Sequence, residues 1–479
     1  MKDFFLFLVT VIIFQATCYR QYPDSFSGKQ VKPGELADLY QVKKTGKLTA
    51  LVDNSSTSYF IYKGEPMGFE YELLSRFARY LNVHLEIIVV KNMDSILDFL
   101  DNGTGDIIAA NFTVTSDRQR AVEFSNPVII TRQVLVQKKP DGWKDMRPEH
   151  LEKSLLRKQI DLGSKEVWVR KNSSFYTRLV SLSDEIGNPV KIIRAPGEYD
   201  TEMLIKMVAM GEIPYTVADE NVAMVNSTYY PQIDIKTALS FPQKIAWAVR
   251  KTSPDLLREV NMWIAMERKK IMFSALYNRY FIDPKWITER KESPYFSPMS
   301  GRISQYDHIA RIFSRNIGWD WRLLVALMYQ ESRFDPAARS WAGAFGIMQL
   351  MPSTAEMFGV DSFSTTAQHV SAGTKYLARL NEYWEPVIPD SGQRIKFVLA
   401  SYNVGIGHVI DSRNLAIKYN LDPNSWDGNV EECILWKSNP KYYNDTVVRY
   451  GYCRGEEPYN YVREVLTRYE RYKQILVNL

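Results

Sequence analysis

The chain has 479 residues, 60 Lys+Arg against 55 Asp+Glu, 45% hydrophobic residues and three cysteines, a length that calls for more than one domain. Its apolar fraction excludes disorder, collagen and coiled coil, and a net charge of +5 is too dilute to argue for a nucleic-acid partner. Five scattered histidines, with no CxxC or HExxH pattern, leave a metal site little to build on.

Met1, Lys2 and Asp3 precede an apolar run from 4 to 14, followed by Gln15, Ala16, Thr17 and Cys18. A charged start and an apolar run too short to span a bilayer predict a signal peptide over 1–18 and an exported protein. Cys18 stands where a bacterial lipoprotein carries its acylated cysteine, although Gln15 and Thr17 depart from the usual residues there. It is the candidate lipidation site, and any membrane attachment falls at this end of the chain. Residues 19–46 are polar, with Pro23 and Pro33, and read as a linker.

From 47 to 285 short strand patterns alternate with helical ones. Strands are predicted at 48–52, 85–90, 107–110, 167–169, 191–194 and 215–218, and helices at 71–81, 93–100 and 203–210. That rhythm predicts an α/β domain with a largely parallel sheet. It divides into one lobe over about 47–135 and 238–285 and a second over about 139–235. Residues 286–300 are charged, aromatic and proline-punctuated, and read as a second linker.

Beyond 301 nearly everything is helical in pattern: 306–316, 321–330, 354–358, 370–383, 395–401, 404–418 and 459–477. With Cys18 acylated, Cys433 and Cys453 remain in an oxidising compartment, and a disulfide between them is worth about 3 kcal/mol by chain entropy.

Within the helical part, Asp320 is a candidate N-cap, and Leu324, Leu327 and Met328 share a face that Glu331 continues. A carboxyl on an apolar face is pushed toward its neutral acid, the form a general acid needs. For this segment alone, an exposed pair of Glu331 with Arg333 competes with that reading. Gly346, Ile347, Met348 and Gln349 lie in a glycine-punctuated apolar loop, and Ser353 to Glu356 reads as a capping box. Ser401, Tyr402 and Asn403 end a later helix, and Tyr461 and Val462 open the last one. Asp335 reads as a cap before Pro336.

Taken together, Glu331-Ser332, Gly346-Ile347-Met348-Gln349, Ser401-Tyr402-Asn403 and Tyr461-Val462 resemble the ordered motifs of the soluble lytic murein transglycosylases, with their goose-type-lysozyme-like fold. Ile347 and Ser401 depart mildly from the usual Leu and Ala, and residues 424–455 look like an insertion. The resemblance covers 301–479. It implies cleavage of the β-1,4 bond between N-acetylmuramic acid and N-acetylglucosamine in peptidoglycan glycan strands, with 1,6-anhydro ring closure. Glu331 would be the sole catalytic acid and base, and no cofactor or metal would be needed. Ser332, Gln349, Tyr402 and Asn403 would position the sugars, and Tyr461 would help hold Glu331.

The segment around Gly68 to Leu74, the turn Asn111-Phe112-Thr113-Val114-Thr115 leading to Arg118, and Phe124 to Pro127 resemble the periplasmic amino-acid-binding proteins. The resemblance implies a carboxylate held by Arg118 beside Thr113, second-lobe contacts from Ser173, and an amino group on Asp219. A surface pairing of Arg118 with Asp117 or Glu123 is the alternative. The expected whole is multidomain: a two-lobed α/β periplasmic-binding-protein-like domain followed by a mainly α lysozyme-like domain. The small ligand is an amino acid or muropeptide, and the protein is periplasmic, on the outer membrane through its lipid anchor. A non-catalytic peptidoglycan-binding receptor and a hydrolytic lysozyme remain as alternatives.

Overall fold

The computed structural model describes residues 37–196 and 199–475. The expected signal peptide, Cys18 and most of the expected first linker lie outside the described residues. Among those described, no helix is long and apolar enough to cross a membrane.

The N-terminal half has two α/β lobes. In the first, strands run in the order His84–Val89, Lys47–Val52, Ile107–Ile108, Ala248–Arg250 and Val122–Phe124. The first three are parallel, with Leu48 opposite Leu85 and Ala50 opposite Ile107. Lys47–Val52 is buried along all but its first residue, as a parallel strand covered on both faces must be. The second lobe orders Lys191–Ala195, Glu166–Arg170, Tyr215–Asp219, Gln133–Lys138 and Ile233–Ala238. The pair Ile129–Thr131 and Gln243–Ile245 links the lobes. There the fully buried Gln133 donates from Nε2 to Ser174 Oγ and Gln243 Oε1, at 3.2 and 3.0 Å.

The described end of the first expected linker is folded, and so is the second. The helix Ala37–Thr45 precedes the first strand, with Val42 buried. Residues 286–300 hold the helix Pro284–Glu292 and the turn Ser297–Ser300. Arg290 is fully buried there because its guanidinium donates to Ser56 O at 2.9 Å among the rings of Phe60, Tyr280, Trp286 and Phe296. Aromatic faces replace part of the hydration that a buried cation loses.

The C-terminal half is a helical domain around Leu323–Met328, Phe397–Ala400 and Val462. Two elements join it to the first lobe. The hairpin Phe60–Tyr62 and Glu65–Met67 turns at Lys63 and Gly64, both at positive φ, as a two-residue hairpin turn requires. Its tip packs on Tyr329 and Phe334, where a Cβ on Gly64 would come within 2.6 Å of the Tyr329 ring. The last helix, Glu456–Ile475, buries Tyr461 and Val462 in the helical domain. Farther along, Tyr472 donates to Gly64 O at 2.8 Å, and Gln474 Oε1 accepts from Val89 N at 3.1 Å on the edge strand of the first lobe.

Cys433 and Cys453 are both buried free thiols, so the expected disulfide is not formed. Cys433 lies on the inner face of the helix Glu431–Trp436, while the backbone of Cys453 is held by Lys437 O and Ser438 Oγ. Burial pushes the thiols up to about 12 and about 11, respectively.

Candidate active site

The helix Trp321–Ser332 starts where Asp320 accepts from Arg322 N at 2.9 Å and runs with Leu323 to Met328 all buried. It stops because Arg333 and Phe334 adopt positive φ, 52° and 68°. Glu331 therefore occupies the last turn, away from Arg333. Its carboxyl accepts a short hydrogen bond from Tyr461 on the last helix. Desolvation raises the Glu331 carboxyl from 4.5 to about 8; the Tyr461 bond opposes this and the charge of Glu457 adds to it.

The loop Phe345 to Leu350 is closed by reciprocal backbone bonds of 3.1 Å between its ends. Gly346 sits at φ +78°, against the ring of His369, where a side chain would collide. Ser332 Oγ reaches Met328 O and Ile347 O, at 3.1 and 2.9 Å. With its one proton shared between backbone carbonyls, Ser332 fixes the loop against the helix rather than facing a sugar. Gln349, at φ 46°, donates from Nε2 to Ala338 O and Gly346 O, which leaves its Oε1 for a ligand. Tyr402 donates to Met348 O at 2.7 Å. Gln349, Tyr402 and Asn403 line one groove of about 230 Å³ with Tyr376, and Asn403 Oδ1 is buried there without a partner.

Two local expectations change. The helix Pro352–Met357 has Met351 at its N-cap position and no side-chain capping bond, so Ser353 and Glu356 form no capping box: Pro352 takes the first helical position. Asp335 accepts from Ala337 N at 2.8 Å within a turn and caps no helix. Ser401, fully buried, accepts from Trp384 Nε1 at 2.9 Å and belongs to the core. Tyr376 could not be singled out from the sequence, being one aromatic among many on a helix.

Replacing Tyr461 with Phe removes the hydrogen bond that holds the Glu331 carboxyl and draws its pKa down. The expected result is a fall of about tenfold in turnover, with the alkaline limb of the pH–rate profile moving upward. A profile that moves downward would contradict this role.

A second cavity, about 280 Å³, lies between the lobes. Arg118 is turned into it, donating to Thr113 O at 2.9 Å with its guanidinium 3.9 Å from the Phe112 ring centre. Asp117 instead lies 3.8 Å from Arg120. Desolvation and the nearby Arg170 lower Arg118 to about 10. Asp219 is 3% exposed; Asn111 Nδ2 donates to its Oδ2 at 2.8 Å, and its Oδ1 has no partner. Ser173 lines the cavity, but its hydroxyl accepts from Tyr176 N and donates to Arg170 O, so it serves the helix Ser174–Ile186 as a cap. The sequence reading missed Arg170, Asp53, Asp200 and Glu202, which also line the cavity; no local pattern marks them.

Residues 48–283 match the bacterial extracellular solute-binding proteins, family 3, and residues 311–423 match the transglycosylase SLT domain. Among curated proteins, the chain is 35% identical over 440 residues to a membrane-bound lytic murein transglycosylase F of Desulfosudis oleivorans, covering 92% of each chain. Relatives of the same name in Shewanella pealeana and Pseudomonas fluorescens are 31% and 32% identical, covering 86% and 90% of this chain and 82% and 86% of theirs. Identity of this extent, spanning both halves, shows that the chain is an enzyme belonging to the membrane-bound lytic murein transglycosylase F family.

Proposed function

We propose that the chain cleaves the MurNAc-β-1,4-GlcNAc bond of peptidoglycan with Glu331 as both acid and base. The observation that carries this reading is the half-buried Glu331 carboxyl, raised to about 8 and held by Tyr461. At neutral pH it is protonated and gives its proton to the glycosidic oxygen as the bond from C1 breaks. The resulting carboxylate then takes the proton from the muramoyl C6 hydroxyl, whose oxygen bonds to C1 and closes the anhydro ring. An internal nucleophile has high effective concentration and needs no water-activating carboxylate. Glu457, whose charge reaches Glu331, is itself exposed. Gln349, Asn403 and Tyr402, which line the groove, position the sugars, while Ser332 acts through the loop it pins.

The interlobe cavity is the site of a regulatory ligand, bound through Arg118, Thr113 and Asp219. The last helix runs from Tyr461 at the catalytic carboxyl to Gln474 at the cavity wall, about 20 Å at 1.5 Å per residue. Ligand capture that shifts this helix alters the Glu331 cleft, and linkage makes the effect on affinity reciprocal. The chain acts in the periplasm, attached to the outer membrane through Cys18, a reading supported by its N-terminal sequence.

Mass spectrometry of digested peptidoglycan, with and without a panel of amino acids and muropeptides, tests these readings. Anhydro-muropeptides are the expected products, at a rate that changes with the right ligand. Reducing ends would identify a hydrolase, and no products a binding protein. A rate indifferent to every ligand bound in the cavity would remove the regulatory role.

A further inference from the structure

The cavity between the lobes holds two charged groups of different character. In one, Arg118 feels both Arg170 and Asp219. Two cations side by side call for an anion between them, and a carboxylate fits a guanidinium fork. Beside them Asp219 keeps one oxygen unpartnered although the residue is 97% removed from solvent, counting from its 3% exposure. That oxygen lacks a donor, and an ammonium supplies one.

The other group is entirely acidic. Asp53 and Asp200 both raise Glu202, which desolvation and these neighbours bring to about 7. Asp200 is raised in turn, chiefly by desolvation; its bond from Met203 N and the Arg170 charge oppose this, and Asp53 adds to it. All three line the same cavity as Arg118 and Asp219. Glu202 is placed by the closed arrangement of the lobes: Ser56 donates to it from its backbone N at 3.2 Å and from Oγ at 2.5 Å. Asp53 Oδ1 is buried with no partner. Carboxyl groups gathered in a desolvated wall repel one another until a cation joins them.

We propose that this cavity takes an α-amino acid bearing a second, distal cation, an amino or guanidinium group. Its carboxylate meets Arg118 and Arg170, its α-ammonium meets Asp219 Oδ1, and the distal cation meets Asp53 and Glu202. This rests on the cavity being a ligand site, as proposed above, and adds the class of ligand. The small volume suits one free amino acid, and the unpartnered Asp219 oxygen requires its α-amino group to be free.

Calorimetry on the full chain with L-lysine, L-arginine, L-norleucine and Nα-acetyl-L-lysine tests it. Lysine or arginine is expected to bind at least about tenfold more tightly than norleucine, which has lysine's carbon chain without its amine. Acetylation is expected to weaken lysine by at least about tenfold, which separates a free amino acid from a residue within a peptide. Asp53→Asn and Glu202→Gln are each expected to cut the lysine-to-norleucine ratio below about threefold. Norleucine binding as tightly as lysine and arginine would overturn the distal cation and leave the ligand cavity standing. A lysine preference surviving both substitutions would overturn Asp53 and Glu202 as its source. Failure of all four compounds to bind would remove the amino-acid receptor reading itself.

Discussion

Glu331→Gln is expected to abolish anhydro-muropeptide formation, lowering turnover by at least about 10³-fold, while glycan binding persists. The amide keeps the size and hydrogen-bonding capacity of the side chain and loses its titrating proton. General acid–base assistance from one group contributes about 10²–10⁴-fold, and in the proposed reaction the same group serves both transfers. In the unmodified enzyme, activity should fall as pH rises through about 8, where burial places the Glu331 carboxyl, because the acid form is the reactive one. Product analysis showing near-normal anhydro formation by Glu331→Gln would end the assignment.

The same carboxyl makes a statement about stability. Its folded value, about 8, lies above its ordinary 4.5, so in that window the folded chain holds a proton that the unfolded chain has released. The stability it contributes is complete below about 4.5 and is lost as pH rises through about 8. Glu331→Gln should therefore gain on the parent protein in thermal unfolding at pH 8 compared with pH 5. Equal differences at both pH values would show that the carboxyl is not desolvated.

Lys437→Met is expected to destabilise the helical domain by about 3–5 kcal/mol, the usual cost of leaving a buried charge without its partner. Lys437 and Asp411 have fully buried side chains, 2.7 Å apart. Lys437 Nζ also reaches His408 Nδ1 at 3.0 Å. Asp411 accepts from Arg449 N and Tyr450 N, each at 2.8 Å. The pair thus pins the segment expected as an insertion to the helix Ile406–Lys418. Removing the ammonium leaves the carboxylate with two backbone donors in a dry site. Replacing both residues by apolar ones of similar volume should cost less than Lys437→Met alone. Denaturant unfolding of the three proteins measures this, and a loss under about 1 kcal/mol for Lys437→Met would mean that water reaches the pair.

Side-chain spacing along single segments carried the architecture. The buried strand Lys47–Val52, the helix behind Asp320 and the position of Glu331 at the end of an apolar face follow from local periodicity and capping, because neighbours along the chain decide them. Matching of short motifs in order picked out Tyr461, which bonds that glutamate from 130 positions away, and Gln349, Tyr402 and Asn403, which share one groove. Charge content misjudged residues 286–300, since Arg290 is buried by aromatic rings contributed from separate segments. Spacing misjudged Cys433 and Cys453, whose separation along the chain says nothing of where their side chains point.

What the sequence by itself determined is the order of the two domains, many of the elements within them and the place of Glu331 at the end of a buried helix. Only the tertiary structure decided that Ser332 and Ser173 serve the backbone, that Glu202 meets Asp53 and Asp200, and that one helix reaches both the Glu331 carboxyl and the interlobe cavity. Helix and strand formation is settled within a few turns of chain. The surroundings of a polar group are set by whichever distant segments exclude water around it, and no pattern in its own segment records them.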